Sequence, residues 1–307
     1  MYSLAQVKRG LSHPNLIIRE FNRLYHTRLD SLRYNEAGFG LMEADWDFCH
    51  ILDACRYDMF AEHSSLPGML SKRVSRGSNT VEFLRGNFET GTYHDTVYVT
   101  ANPQYRRYEN QFDAEFHDVV DVWANDGWDD TYNTVLPETT TEYALEAADR
   151  YPHKRLLVHF IQPHYPFLVP DSTFDKTHLH DEGAETDDFW HRIFYGELDV
   201  DPSYVWSLYR KSLDEALPHV ERLLTSVEGK HVVTADHGNM VGERAAPLPV
   251  REWGHPEGIY VPKLVEVPWL EYTNGERRRV TPTRPRQGTS VDDNAVRERL
   301  RTLGYRE

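Results

Sequence analysis

The chain has 307 residues, of which 39% are hydrophobic and 12% aromatic, enough to bury the core of one large α/β domain or two small ones. Its 49 acidic residues outnumber its 34 Lys and Arg residues, and the formal net charge of -15 argues against general nucleic-acid binding, which needs a basic surface. No stretch approaches the roughly 18 apolar residues of a membrane span. The N-terminus lacks the apolar region of a secretory signal, so we expect a cytoplasmic protein without a transmembrane segment.

The surface charge is unusual in kind as well as in amount. Only seven of the 34 basic residues are lysines. An acidic, lysine-poor surface keeps a protein soluble in concentrated salt, so the composition predicts a halophilic protein. The alternative is an acidic face that binds a cationic partner.

The first 44 residues are predicted to form an N-terminal helical segment. Leu16, Ile17, Phe21 and Leu24 recur at mixed helical spacing, with arginines among them. We expect this helix to pack on the main domain. The alternative is that a basic amphipathic segment of this kind contacts a membrane surface.

The middle of the chain alternates predicted strands with predicted helices, which is typical of an α/β fold. The strands are expected at 46–52, 96–100, 156–161 and 231–235, and the main helices at 138–151 and 203–227. This order predicts a doubly wound, mostly parallel sheet with helices on both faces, in a single main domain covering 45–272. Residues 273–307 are predicted to be a linker and one C-terminal helix.

A polar residue follows each of the four predicted strands. They are Asp53, Asn102, His164 and Asp236, and the last is followed directly by His237. In parallel sheets, ligands bind at the carboxyl ends of the strands. A carboxylate and an imidazole side by side at such an end are typical ligands of a divalent cation. Asp53 alone could instead cap the next helix.

The segment from Arg76 to Glu82 places small and hydroxyl residues just before an apolar helical run. Asn79 and Glu82 indicate a capping box at the helix start. A Ser78 or Thr80 hydroxyl there could also become a nucleophile, because a helix N-terminus stabilises anions and a cation would lower its pKa.

Two further histidines are candidates for contacts with the substrate. His164 lies in a proline-bounded loop after a strand, where it could neutralise a substrate oxygen or protonate a leaving oxygen. His255 follows Gly254 and could ligate a metal or contact the substrate. Asp175 and His178, in the acidic segment 171–204, could supply a second cation site.

Taken together, these motifs resemble those of the alkaline phosphatase superfamily in its sulfatase-like branch, which includes haloarchaeal-type sulfatases and phosphoglycerol transferases. The likeness spans roughly residues 45–271 and follows the family's motif order. The matching segments are Asp53 followed by Arg56 and Asp58, the loop Pro163-His164-Tyr165-Pro166-Phe167, the helical stretch 209–224, Ala235-Asp236-His237-Gly238, and Val267-Pro268-Trp269-Leu270. The resemblance implies an alkaline phosphatase-like fold and one divalent cation, Mn²⁺, Zn²⁺ or Mg²⁺, with a second site uncertain.

The nucleophile motif of the formylglycine sulfatases, Cys-x-Pro-x-Arg, does not occur in this chain. Cys49 and Cys55 are predicted to be reduced core thiols, because six residues along a strand span roughly 20 Å and no disulfide bridges that distance. The segment 77–83 resembles instead the Thr-x-x-x-Glu-Phe region of lipoteichoic acid synthase-like phosphoglycerol transferases. That alignment puts Ser78 at the nucleophile position, with Thr80 as the second choice.

The resemblance implies that Asp53, Ser78, Asp236 and His237 hold the metal, with His255 as a further candidate ligand. Arg56, His164 and His255 would contact the substrate. The expected activity is cleavage of a small-molecule, glycan-linked or lipid-linked phosphate ester or diester through a Ser or Thr nucleophile. The alternatives are a sulfate-ester hydrolase without formylglycine and a non-catalytic binding protein on a degenerate phosphatase fold.

Overall fold

A computed structural model describes residues 10, 13–124, 126–168, 189–285 and 292–303 of the chain. Asp175 and His178, the candidates for a second cation site, lie outside these ranges. Within them, seven strands form a central sheet in the order β2-β11-β8-β1-β7-β3-β4. These strands are β1 (Phe48–Leu52), β2 (Met69–Val74), β3 (Thr90–Thr100), β4 (Asp113–Asp121), β7 (Arg155–Phe160), β8 (Gly229–Thr234) and β11 (Glu266–Asn274).

The other described elements surround this sheet. Two small antiparallel hairpins are formed by β5 (Trp128–Asp129) with β6 (Thr134–Val135), and by β9 (Met240–Arg244) with β10 (Arg251–Gly254). The helices are α1 (Pro14–His26), α2 (Tyr57–His63), α3 (Thr80–Phe88), α4 (Gln104–Tyr108), α5 (Pro137–Arg150), α6 (Phe189–Phe194), α7 (Pro202–Ser226), α8 (Pro262–Val265) and α9 (Asp293–Thr302).

The sheet is mostly parallel, as predicted. Strands β8, β1, β7, β3 and β4 pair in parallel, and β11 pairs antiparallel with both of its neighbours. The four predicted strands are β1, β3, β7 and β8, which lie side by side in the middle of the sheet. Their carboxyl ends therefore share one edge, which is where the sequence predicts a site.

Alternate residues of each central strand belong to two separate cores, one on each face of the sheet. Phe48 and Leu52 pack in the cluster that contains buried residues of α5 and α7, whereas Cys49 and Ile51 pack in the cluster that contains Phe83 of α3. Helices therefore cover both faces, and the predicted fold class is confirmed. Both thiols are free and buried, as expected.

The segments at the two ends of the chain also pack on this domain. Leu16 and Ile18 of α1 and Val296 and Leu300 of α9 contact the larger core cluster. Among the described residues, no helix combines the length and apolar character needed to span a membrane.

The amino-terminal edge of the sheet is held by two arginines from the segment that follows β11. Arg277 forms ion pairs with Asp45 and Asp47, and Arg278 donates to the carbonyl oxygens of Ala148 and Tyr151 at the end of α5. Strand β11 runs through Asn274, so regular structure extends two residues into the predicted linker.

Beneath this edge, two histidines are buried against each other in neighbouring strands. His50 Nε2 lies 3.1 Å from His231 Nδ1, and His231 stacks on Phe48. Burial lowers the pKa of His231 to about 4, so its ring is neutral in the folded protein at neutral pH.

We therefore predict that stability falls as the pH drops from about 6.5 to about 4. Over that range His231 takes up a proton in the unfolded chain but not in the folded protein. At about 1.4 kcal/mol per pKa unit, this one group contributes on the order of 3 kcal/mol. Urea unfolding at stepped pH measures the effect. The loss of stability on acidification should be smaller in His231→Gln and unchanged in the matched control His153→Gln, which replaces an exposed histidine. An equal dependence of the unfolding free energy on pH in both variants contradicts the prediction.

Candidate metal centre

The carboxyl ends of the central strands bring their polar residues together. The Asn102 side chain, after β3, donates to Asp53 Oδ2 after β1 at 2.6 Å. The Ala54 backbone N–H donates to Asp236 Oδ1 after β8 at 2.9 Å, and the His164 backbone N–H, after β7, donates to the Asp53 carbonyl at 3.1 Å. All four predicted strand ends thus meet at one point.

The turn after β1 shows that Asp53 does not cap a helix. Helix α2 begins later, and its N-cap residue is Arg56, which makes no side-chain capping bond. Between them, Ala54 has a φ of 59°, a left-handed conformation that costs a residue with a Cβ some strain. Such strain is tolerated where surrounding contacts fix the backbone, and here it keeps Asp53 fully buried at the sheet edge.

The Asp236-His237 pair presents hydrogen-bond acceptors toward Asp53. His237 Nδ1 is bound to the Gly238 carbonyl at 2.7 Å, so the proton of the neutral ring lies there. The lone pair on Nε2 then faces Asp236 Oδ2 at 3.3 Å and Asp53 Oδ1 at 3.5 Å. Burial lowers the pKa of His237 to about 4, so the ring supplies no positive charge at neutral pH.

His159 belongs to the same group, although it is not among the predicted site residues. It lies within β7, fully buried, and its Nε2 is 3.9 Å from one oxygen each of Asp53 and Asp236. One ligand atom from each of these three residues lies within 4.8 Å of the others. The signal in the sequence was a single histidine inside an otherwise apolar strand.

These residues fit a divalent cation. Two buried carboxylates face neutral imidazoles, and burial raises the pKa of Asp236. Among the described residues, Asp236 Oδ2 and His159 Nε2 have no hydrogen-bond partner. Ligands bound at 2.0–2.1 Å to one tetrahedral ion lie roughly 3.3 Å apart. The His237 distances to the two carboxylates, 3.3 and 3.5 Å, match that spacing.

Of the two candidate nucleophiles, the structure places Thr80 in this group and Ser78 outside it. Thr80 is the first residue of α3, and its Oγ1 lies 3.2 Å from His237 Nε2. Ser78 Oγ lies 2.7 Å from Glu82 Oε2 and 2.9 Å from the Pro256 carbonyl, so its one hydroxyl proton serves an acceptor away from the cluster.

Glu82 explains why Ser78 faces away. Its buried carboxylate accepts from the Ser78 backbone N–H at 2.9 Å, from the Gly258 N–H at 3.1 Å and from the Tyr260 hydroxyl at 2.9 Å. Asn79 caps α3 by accepting from the Glu82 N–H, as expected, but Glu82 itself reaches Ser78 instead of completing the capping box. Burial raises the pKa of Glu82 to about 7.

Arg56, expected to contact the substrate, is engaged with other protein groups. Its side chain forms ion pairs with Asp58 and Glu243 and donates to the Asn239 carbonyl. Its guanidinium also lies over the Trp206 ring. These contacts tie the turn after β1 to the loop after Asp236, and a contact of Arg56 with the substrate stays a prediction.

The rings of His237, His255 and His164 form a row, in which His255 is partly exposed and His164 is buried. The ring centroids of His237 and His255 are 4.8 Å apart, and those of His255 and His164 are 4.9 Å apart. His255 thus lies beside the Asp-His group, and its Nδ1 is 3.2 Å from Asn239 Oδ1. Gly254, with a φ of 74°, has Trp190 packed so closely that a Cβ would clash, so glycine is required just before His255.

A cavity of about 400 Å³ opens next to Thr80 and His255. Helix α1 forms one wall through Arg19 and Arg23, and α4 contributes Arg107. Helix α1 is fastened to the β9–β10 hairpin, which ends at Gly254, just before His255. The contacts are an ion pair between Arg19 and Glu252, paired hydrogen bonds between Asn22 and Leu248, and a bond from His26 to the Ala246 carbonyl.

Comparison with solved structures finds distant likenesses. The soluble domain of lipooligosaccharide phosphoethanolamine transferase A from Neisseria meningitidis is 10% identical, with 73% of this chain and 75% of that one covered at a TM-score of 0.45. The C-terminal periplasmic domain of EcEptC from Escherichia coli, in complex with Zn, is 11% identical, with 73% and 72% covered at 0.43.

A protein of the alkaline phosphatase superfamily from Vibrio parahaemolyticus is 12% identical, with 93% of this chain and 75% of that one covered at a TM-score of 0.43. No family model and no curated protein matches the sequence. Likenesses at these identities and TM-scores assign no activity to the chain.

We predict that a divalent cation raises the melting temperature of this protein. A ligand at 100 times its Kd stabilises the folded state by about 2.7 kcal/mol. Differential scanning calorimetry with Zn²⁺ or Mn²⁺ should show a rise of several degrees, which Asp236→Asn abolishes. Asp121→Asn, which removes a buried carboxylate paired with Arg106 elsewhere on this edge, should keep the response. A full response in Asp236→Asn rules out this site.

Proposed function

We propose that this chain is a metal-dependent hydrolase or transferase that cleaves a phosphate ester or diester through a covalent intermediate on Thr80. The observation that carries the proposal is the Thr80 hydroxyl at the start of a helix, 3.2 Å from a histidine that faces two buried carboxylates. A hydroxyl in that position has the two features a nucleophile needs, an anion-stabilising helix end and a site for a cation.

Asp53, Asp236 and His237 are the residues that would hold the cation. When bound, it would neutralise charge developing on the transferred group and lower the pKa of the nucleophilic hydroxyl. The mixture of carboxylates and imidazole favours Zn²⁺ or Mn²⁺ over Mg²⁺, which prefers oxygen ligands and retained water.

The residues support a reaction in two displacements. Thr80 Oγ1 forms a bond to phosphorus as the bond from phosphorus to the leaving oxygen breaks, and the leaving alcohol takes a proton from water in the cavity. The hydroxyl proton of Thr80 has the Asp236 carboxylate in reach, since the His237 Nε2 lone pair would be taken up by the cation. Water or an acceptor alcohol then attacks phosphorus, and Thr80 recovers a proton as its bond to phosphorus breaks.

His164 and His255 are placed to hold the oxygens of the ester. Each ring has its Nδ1 against an oxygen acceptor, the Tyr165 carbonyl and Asn239 Oδ1. Burial lowers the pKa of His255 well below its ordinary value, so the ring is neutral before substrate binds. An approaching anionic ester favours the protonated ring, which would then donate from Nε2 to a substrate oxygen.

The structure does not support a catalytic nucleophile derived from either cysteine. Cys49 and Cys55 are fully buried, and burial raises the pKa of both thiols. Sulfate-ester cleavage by Thr80 itself remains the second candidate reaction, since a sulfuryl group presents oxygens of the same geometry. We propose as substrate a small-molecule, glycan-linked or lipid-linked ester; the halophilic character and cytoplasmic location also stay predictions.

The test compares three variants on an aryl phosphate, an aryl phosphodiester and an aryl sulfate. Thr80→Ala should lower kcat at least roughly 1,000-fold, since removal of a nucleophile abolishes the covalent route. Thr80→Ser should retain activity. Ser78→Ala removes a donor to Glu82 and should cost about 1–3 kcal/mol of stability with little change in kcat.

The opposite ranking, with Ser78→Ala inactive and Thr80→Ala active, would move the nucleophile back to Ser78. Faster turnover of the aryl sulfate than of both phosphates would favour the sulfate-ester alternative. Absence of turnover together with absence of bound metal would favour the degenerate binding protein.

A further inference from the structure

His159 occupies a position in the sheet where packing alone would favour an apolar side chain. It lies in strand β7, between β1 and β3, whose other residues from Leu156 to Phe160 are apolar, and it is fully buried. A polar group buried without hydrogen bonds costs roughly 1–3 kcal/mol. Its Nε2 nevertheless has no hydrogen-bond partner among the described residues, and it lies 3.9 Å from oxygens of both Asp53 and Asp236.

The other ring nitrogen of His159 is fixed by Tyr98. The Tyr98 hydroxyl, fully buried on the neighbouring strand β3, lies 2.8 Å from His159 Nδ1. When the hydroxyl accepts the Nδ1 proton, the lone pair on Nε2 is directed at the carboxylates. His237 shows the same arrangement, with its Nδ1 held by the Gly238 carbonyl.

Neither tautomer of His159 is satisfied by the protein alone. A proton on Nε2 would have carboxylate oxygens at 3.9 Å, too far for a hydrogen bond, and a lone pair there would face two anions. A cation between these groups removes the conflict in the second case. Metal-ligating histidines commonly have the second nitrogen held in this way, which fixes the ring and its tautomer.

We propose that His159 is a ligand of the cation held by Asp53, Asp236 and His237, and that Tyr98 is its positioning residue. The inference rests on the proposed function for the existence of that cation. It gives the site two imidazoles and two carboxylates before the Thr80 hydroxyl is counted. A site with this composition selects Zn²⁺ or Mn²⁺ against Mg²⁺ more strongly than one with a single imidazole.

His50 shows that burial in this sheet does not by itself produce such a position. It is fully buried on the adjacent strand β1, on the face of the sheet that carries α5 and α7, with its Nε2 bound to His231 Nδ1 at 3.1 Å. Its Nδ1 also has no hydrogen-bond partner among the described residues, so His159 differs from it in facing the two carboxylates. The same substitution at His50 therefore removes a buried imidazole from the same sheet without touching the carboxylates.

The experiment measures Zn²⁺ affinity by competition with a chromogenic chelator in the full chain. His159→Gln should weaken affinity at least 10-fold. Tyr98→Phe should weaken it by roughly 10-fold, the lower end of what loss of such a supporting bond costs. The matched controls His50→Gln and Tyr151→Phe, the latter removing a hydroxyl bonded to Asp118, should stay within twofold of the parent. Calorimetric melting of each apoprotein shows that it is folded.

A second measurement needs no variant. X-ray absorption fine structure of the Zn²⁺-loaded parent protein should show two imidazole ligands, and a single imidazole overturns the ligand role of His159. An unchanged affinity in His159→Gln also overturns it and leaves the proposed function standing. If the parent protein binds no divalent cation, both the proposed metal centre and this inference are wrong.

Discussion

Two carboxylates share one buried corner of this protein. Asp53 and Asp236 have no exposed surface, and both face His237 within 3.5 Å. Burying each ionised carboxylate costs several kcal/mol unless it is compensated. The Asn102 amide and the Ala54 and His237 backbone N–H groups supply part of that compensation, and each is fixed by a turn at the end of a strand. A bound cation would supply the remainder, because the neutral rings of His159 and His237 bring no positive charge to this sheet edge.

The centre of the fold could be predicted because its strands are buried on both faces. Such strands are continuous apolar runs, and β1, β3, β7 and β8 all show them. Strands β2 and β4, at the two edges, were not predicted. All six residues of β2 except Leu70 are exposed, and β4 carries four acidic residues. Neither strand therefore has the pattern of a core strand. Only part of strand β11 was predicted, and that prediction came from the family resemblance.

The site could be predicted where its residues follow a strand, and not where they lie within an element. Asp53, Asp236 and His237 stand out because a charged residue ends an apolar run. His159 lies inside such a run, where a histidine is indistinguishable from a packed core residue. The choice between Ser78 and Thr80 depends on which residue begins α3. Only the contacts of Glu82 with Ser78 and Tyr260 determine that Ser78 turns away and that Thr80 faces His237.

The cavity beside Thr80 depends on contacts that no local pattern encodes. Arg19 and Glu252 are 233 residues apart, yet their ion pair attaches α1 to the hairpin that ends just before His255. Glu252 is fully buried, so the loss of Arg19 would leave an uncompensated charge and loosen both the wall and the hairpin. The position of His255 therefore depends on contacts with α1, and residues 45–271, the span of the family resemblance, do not include the α1 wall of this cavity.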